Sequence, residues 1–418
     1  MNGGTRVDKH EVVITGLGIV SPYGTDVDRY YDRLAACEIA LKPSPLNPES
    51  GLWVSECDDF RPEDWMSDKV IDGTDRFSQF AMAGCSQALA QAGLSGDDLD
   101  PIRTAIVMGT SMGGTRAVER GQHLLETGGV EAVPRKLQIL IWPNMAAAQI
   151  AMAYQLHGPC LTVTTACAGG IDAVGQAVRQ IQAGLADVAI TGATEGTGKV
   201  EFQSALGANS LAYGMTTPNT DPRKACRPFD RDRTGIAGCE GAGMFVLESR
   251  QHAEARGAEI LGVVRGYAQC ADAFHPSSPN PSGEWEALVM RNAQREAGVG
   301  PTEISGVYAH GTGTPKGDLA EIRALNEVFA ERIATLPVTS LKGHMGHPGS
   351  SASAMNLVAA TIGMRRGEIL PTASTVNPDP EVQFDLVLER PKPIDVTAMQ
   401  INAFGFGGQN ASMVLTPD

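Results

Sequence analysis

One rhythm constrains this sequence more than any other feature. A short run rich in β-branched residues is followed by a turn of small residues, then by a stretch with apolar residues at helical spacing. The candidate strands are Val12–Thr15, Thr104–Met108, Leu161–Thr165, Asp187–Thr191 and Met244–Leu247, then Ile260–Val264, Val307–Ala309, Pro337–Ser340, Gln400–Ala403 and Ser412–Leu415. Helical patterns such as Arg76–Ala92 and Gly170–Ala183 fall between them. This alternation predicts an α/β protein with buried sheets. The polar stretch Glu248–Ala258 divides the chain into two halves of similar make-up, residues 1–250 and 251–418. The segments His275–Gly283 and Lys42–Trp65 read as surface loops.

Charge and composition exclude several classes. The net charge of −15 over 418 residues argues against a general grip on nucleic acid. The opening residues MNGGTRVDKH lack the apolar segment of a secretory signal. No apolar run approaches the roughly 20 residues of a membrane span. Eight scattered cysteines without a C-x-x-C pair fit reduced thiols in a cytoplasmic protein and show no metal-ligand spacing. The run Gly16-Leu17-Gly18 resembles the start of a dinucleotide fingerprint, but Ser21 replaces its third glycine and Pro22 interrupts the helix that should follow. It reads as a strand and a turn, and no cofactor is expected.

Cys167 stands out by context. Leu161–Thr165 predicts a buried strand, and after Ala166-Cys167-Ala168-Gly169-Gly170 the residues Ile171, Val174, Val178 and Ile181 recur at helical spacing. A cysteine in the first turn of a helix meets unpaired N–H groups and the positive end of the dipole, which favour a thiolate. The alternative is a small apolar residue at a tight turn. Two histidines tip the balance toward chemistry. The run Ser305–Ala309 leads into His310-Gly311-Thr312-Gly313-Thr314-Pro315-Lys316-Gly317-Asp318, and Pro337–Ser340 leads into Lys342 and His347. A cysteine with imidazoles nearby is a recurrent acyl-transfer arrangement, and two imidazoles can donate to one thioester oxygen as it becomes an enolate.

These motifs, with Val13-Ile14-Thr15-Gly16-Leu17-Gly18 and Ser21-Pro22, Arg227-Pro228-Phe229-Asp230, Gly241-Ala242-Gly243 and Asn402-Ala403-Phe404-Gly405-Phe406-Gly407-Gly408-Gln409-Asn410, stand in order. They resemble the elongating β-ketoacyl-acyl-carrier-protein synthases of type II fatty-acid and polyketide synthesis, from about residue 11 to residue 416. The resemblance implies a thiolase fold, two βαβαβαββ halves in a five-layered αβαβα core, usually dimeric. It implies that Cys167 takes an acyl chain from an acyl carrier protein whose phosphopantetheine arm brings the substrate. His310 and His347 would decarboxylate a malonyl extender and stabilise its enolate. The N–H groups of Cys167 and Phe406 would form an oxyanion hole, with Phe406 a gatekeeper. Lys342 and Glu321 would be an ion pair orienting His347, with Asp318 in the same loop. Thr312 and Thr314 would bind the arm, Met112 would line the acyl pocket, and Phe404, Asp272 and His275 would contact substrate.

Departures from that pattern are Ser350-Ser351-Ala352-Ser353 after the second histidine, Asn356, Gly238-Cys239-Glu240 and the additional His344. They favour a role in specialised metabolism. A thiolase would need a second catalytic cysteine near the C-terminus, and none follows Cys270. The competing activity is an intramolecular, aldol-type ring closure on a carrier-bound chain. The expected partners are the carrier protein and a second copy of the chain, or a chain-length-factor-like subunit.

Overall fold

The computed structural model describes residues 10–45, 48–197, 209–210 and 216–418. The opening stretch read for a signal lies mostly outside them, at residues 1–9. The first half runs β1 (Val12–Val20), α1 (Arg76–Ala92), β2 (Thr104–Gly109), α2 (Thr115–Gly128), β3 (Cys160–Val163), α3 (Gly169–Gln182), β4 (Val188–Glu195), β5 (Gly241–Ser249). The second runs β6 (Gly262–Ala271), α4 (Glu284–Ala297), β7 (Ile304–Tyr308), α5 (Pro315–Val328), β8 (Pro337–Thr339), α6 (Ser351–Arg366), β9 (Ala398–Gly405), β10 (Gln409–Thr416). Several strands extend beyond the runs read from sequence, because glycines and polar residues continue them.

The order across the sheet is β3-β2-β4-β5-β1, then β6-β10-β9-β7-β8, with Asp385–Leu386 added outside β8. Each half has the same plan. Its first strand and its last two form an antiparallel set, and the two βαβ units add parallel strands outside it. The halves join where Val12–Ile14 of β1 pairs antiparallel with Gly262–Val264 of β6. Helix α1 covers one half-sheet and α4 the other, while α3 and α6 pack on each other between them. This is the five-layered thiolase fold.

The two central helices are buried differently. On α3 the expected stripe Ile171, Val174, Val178 and Ile181 is buried, and each such side chain contributes about 1.5–3 kcal/mol. Helix α6 is buried all round from Ser351 to Met364. Gly169 and Gly170 permit the contact of the two helices: a Cβ there would lie 2.5 Å from Ser350 Oγ and 2.5 Å from Ser353 Oγ. Gly16 and Gly18 have the same use. They lie within β1, where a Cβ would meet the Ala88 and Gly84 carbonyl oxygens of α1 at 2.0 Å.

Two sequence readings need correction. Strand β3 is an edge, not a buried strand, because among the described residues no strand pairs on its outer side and Leu161 is 44% exposed. The segment Lys42–Trp65 is no plain loop: Lys42–Pro43, Trp53–Ser55 and Gly238–Cys239 form a small sheet, and Cys57 and Phe60 are buried in a cluster with Val20, Phe80, Ala83 and Ala242. Glu240 next to that sheet is buried against Arg76, with Nη2 to Oε1 at 2.7 Å.

Candidate active site

Three strand ends converge between the halves. Beyond β3 the chain passes through Ala166 at φ 47°, a left-handed conformation that alanine adopts only under constraint, and this turns Cys167 out of the strand line. Cys167 lies in a short 3-10 turn, Ala166–Ala168, just before α3. Ser350 Oγ donates to the Ala166 carbonyl at 2.7 Å and Ser353 Oγ to the Cys167 carbonyl at 3.3 Å. The serines that depart from the pattern of the resemblance therefore brace the Cys167 turn.

Beyond β7 and β8 come His310 and His347. His347 Nε2 is 3.0 Å from Cys167 Sγ, and its Nδ1 is buried without a partner. The rings of His310 and His347 meet edge to face, with centroids 5.5 Å apart, and Phe404 stands 5.7 Å from His310. The sulfur and one nitrogen of each ring lie within 4.8 Å of one another. Among the described residues this is the one trio with metal-ligating geometry, although the sequence reading expects no metal.

Burial governs the charge states. It pushes the Cys167 thiol up to about 11, against the opposing pull of Lys342 and the N–H groups of Phe406 and Cys167 itself. Burial thus works against the thiolate expected from the helix terminus, while Lys342 and the two N–H groups work for it. Burial also lowers both imidazoles well below the usual histidine range, with Lys342 adding to the effect. A thiol faces two neutral rings.

Lys342 and Glu321 do not form the expected ion pair to each other. Lys342 Nζ donates to the His310 carbonyl, while Glu321 accepts from the N–H groups of His310 and Gly311, each at 2.7 Å. They clamp the His310 turn rather than orient His347. Asp318 sits on α5, not in the loop, and its carboxylate accepts from the N–H groups of Phe229, Thr312 and Gly313. The histidine loop is thus pinned by buried carboxylates along one helix.

The site opens into a cavity of about 450 Å³ whose wall includes Cys167, His310, His347, Phe404, Phe406, Thr312, Thr314, Asp272 and His275. The two threonine hydroxyls lie 2.8 Å apart. Phe406 is half exposed at the opening. Asp272 bridges two loops: its N–H donates to Gly408 O and its carboxylate accepts from Asn280 N, both at 2.7 Å. His275 lies on the outer wall in the loop Ala273–Gly283, as the sequence suggested for that segment. Met112 is not in this wall; its N–H donates to Glu195 Oε2 at 3.2 Å. Lys316 is exposed at the mouth, whereas Arg227 is mostly buried and donates to the Asp232 carbonyl.

Glu195 was missed from sequence. It is fully buried at the end of β4 and accepts from the N–H groups of Ser111, Met112 and Ser350, joining the turn beyond β2 to the start of α6. An acid closing a β-rich run between threonine and glycine was its only signal.

The profile of the β-ketoacyl synthase N-terminal domain matches residues 9–253, and that of the C-terminal domain matches residues 261–375. The chain is a member of the β-ketoacyl synthase family. The synthase is 33% identical over 417 residues to the 3-oxoacyl-[acyl-carrier-protein] synthase 2 of Coxiella burnetii, covering 98% of this chain and 99% of that one. It is 34% identical over 407 residues to the enzyme of the same name from Staphylococcus aureus strain N315, covering 96% and 97%. Among solved structures it superposes on the ishigamide ketosynthase/chain length factor with a TM-score of 0.90 at 33% identity, covering 98% and 100%. On a β-ketoacyl synthase from Burkholderia phymatum STM815 the TM-score is 0.89 at 29% identity, with the same coverage. The synthase is accordingly an acyltransferase that performs the condensing chemistry of fatty-acid or polyketide synthesis. None of its described helices is long and apolar enough to cross a membrane.

Proposed function

We propose that the synthase carries out decarboxylative Claisen condensation between an acyl group on Cys167 and a malonyl-type extender on an acyl carrier protein, in polyketide-type specialised metabolism. The observation that carries this reading is the half-buried Cys167 thiol 3.0 Å from the imidazole of His347, with His310 across the same space; burial favours the neutral form of both rings.

The Cys167 proton passes to His347 Nε2 as the sulfur attacks the incoming thioester, and the departing carrier thiol takes that proton away. The extender then loses its carboxylate as CO₂. The electron pair left behind forms an enolate whose oxygen accepts hydrogen bonds from the two neutral imidazoles. The enolate carbon attacks the acyl carbonyl, whose oxygen is met by the Cys167 and Phe406 N–H groups, and the Cys167 sulfur leaves. Thr312 and Thr314 line the path of the arm, and no metal or cofactor enters any step. The serines at 350–353 favour the specialised role over housekeeping fatty-acid synthesis.

A second subunit fits the first half. The exposed side chains of Val118, Leu125, Ile139, Trp142, Met152 and Leu161 all fall between α2 and the unpaired edge of β3. Exposed apolar side chains along the segment that leads to an open strand edge suit a second copy or a chain-length-factor-like partner. Sedimentation of the synthase as a dimer, lost in Leu161→Lys, is the expected result.

The test of the reaction is incubation with malonyl-carrier protein and an acyl primer. Release of CO₂ with formation of a β-keto product is expected. Conversion of a carrier-bound chain to a ring without CO₂ would replace condensation by aldol-type closure.

A further inference from the structure

Two polar groups in the cavity wall are short of partners. Glu286, in the first turn of α4, is 2% exposed, and its Oε2 is buried without a hydrogen-bond partner. Asn410, on β10, is 4% exposed, and its Nδ2 reaches only the Cys270 thiol, a weak acceptor. Both line the cavity that also holds Cys167 and Lys316.

The other acids around this wall are occupied. Asp318 and Glu321 each accept backbone N–H groups of the histidine loop, and Asp272 accepts from Asn280. Glu286 clamps nothing. A buried polar group without a partner is destabilising, and in a folded protein such a group asks for an explanation. Burial first, then the nearby carboxyls of Glu321, Asp272 and Asp318, holds Glu286 well above the usual carboxylate range. Burial thus favours the neutral carboxyl, which offers an O–H donor and a C=O acceptor side by side, and Asn410 adds a second donor. A secondary amide complements that pair: its carbonyl takes the O–H, and its N–H gives to the C=O.

We propose that Glu286, with Asn410, recognises a secondary amide of the molecule that enters the cavity. This rests on the condensing reading, which has a thioester arrive on a long arm. The amide could belong to the pantetheine part of that arm or to the acyl chain, and the two sources are separable.

The experiment compares wild type, Glu286→Ala and Glu286→Gln with two pairs of thioesters. The first pair is malonyl-pantetheine, with amides only on the thiol side, and malonyl-ethanethiol, with none. The second is an acyl-ethanethiol with one amide in its chain and its all-carbon counterpart. The first pair is read by CO₂ release, and the second by acylation of Cys167. The expected result is a tenfold change in the KM ratio of amide-bearing to amide-free thioester in Glu286→Ala. Glu286→Gln should restore it to within twofold, because a carboxamide offers the same donor and acceptor. The pair that shows the change identifies the source.

An unchanged ratio in both pairs overturns the proposal, and so does an equal loss on amide-bearing and amide-free substrates, which is what a merely structural residue would give. Failure of glutamine to restore the ratio also overturns it. Wild type that is acylated at Cys167 but releases no CO₂ removes the condensing reading instead; the acyl-chain pair then decides the Glu286 inference by itself.

Discussion

The two halves have one topology and unequal chemistry. Strand β3 and helix α3 frame Cys167 in the first half, and β8 and α6 frame His347 in the second, so a thiol and an imidazole occupy matching corners. The corners beyond β2 and β7 also match, yet the first presents Ser111 and Met112 and the second His310. The supporting acids differ as well. One buried carboxylate, Glu195, ties down the first half's turn, whereas Glu321 and Asp318 on α5 pin the second half's loop. Helix α5 is correspondingly buried, while its counterpart α2 leaves Val118 and Leu125 exposed. The same strand-turn-helix corner can thus serve as a nucleophile mount or an imidazole mount, according to what its neighbours bury.

The largest expected effect breaks the first half's side of this comparison. Cys167→Ala should lower acyl-enzyme formation at least about a thousandfold, as removal of a covalent nucleophile does. Cys160→Ala should retain it, although Cys160 is the more exposed thiol. Intact-mass spectrometry after exposure to an acyl thioester checks this, and acyl transfer to several cysteines alike would contradict it. Next come the second half's imidazoles. His310→Ala should keep self-acylation and lose decarboxylation by about 10²–10⁴-fold. His347→Ala should lose both, because only His347 touches the thiol. Parallel assays of acylation and CO₂ release separate the two, and equal behaviour of the variants would remove the distinction drawn here.

Sequence made some of this legible and hid the rest for physical reasons. The strand-turn-helix rhythm, the buried stripe of α3 and the positions of Cys167, His310 and His347 could be read because local spacing encodes them. The partners of Lys342 and Glu321 could not, since both bond to backbone groups, and no side-chain pattern marks a carbonyl or an N–H as the target. The environment of Cys167 was hidden for a related reason. A helix terminus is visible in sequence, but the desolvation that opposes a thiolate there arises from packing. The strand β3, dense in β-branched residues, looked interior, yet its open edge depends on the order of strands in the sheet.

The pH dependence sharpens the comparison, because burial drives the reactive groups of both halves toward neutrality. The thiol value of about 11 lies above the ordinary 9.0, so thiolate is scarce at neutral pH and grows as pH rises toward that value. Alkylation of Cys167 by iodoacetamide should rise about tenfold per pH unit from 7 to 10. Both imidazoles stay neutral through 6.5, where an ordinary histidine would gain charge, so no second step should appear between pH 6 and 7. Peptide-resolved mass spectrometry distinguishes Cys167 from the exposed Cys160. A rate already at its plateau near pH 6 would mean a thiolate–imidazolium pair instead.

The smallest expected effect tests which half receives the carrier protein. The cavity takes Cys167 and Ile236 from the first half and the rest of its described wall from the second, including Lys316 at the mouth. Carrier proteins of this kind are acidic and the synthase carries a net charge of −15, so long-range repulsion must be offset locally. Arg223 and Lys224 are exposed but lie outside the cavity wall, and Arg227 is already engaged. Lys316→Glu should therefore raise the apparent KM for carrier-bound substrate by about two- to fivefold at low salt, an effect on approach more than on the bound complex. The double change at Arg223 and Lys224 should do less. The difference should shrink as salt shortens the reach of each charge to about 8 Å at physiological ionic strength. If the Arg223 and Lys224 reversals matter more than Lys316→Glu, the carrier protein approaches over the first half, and the asymmetry between the halves does not extend to docking.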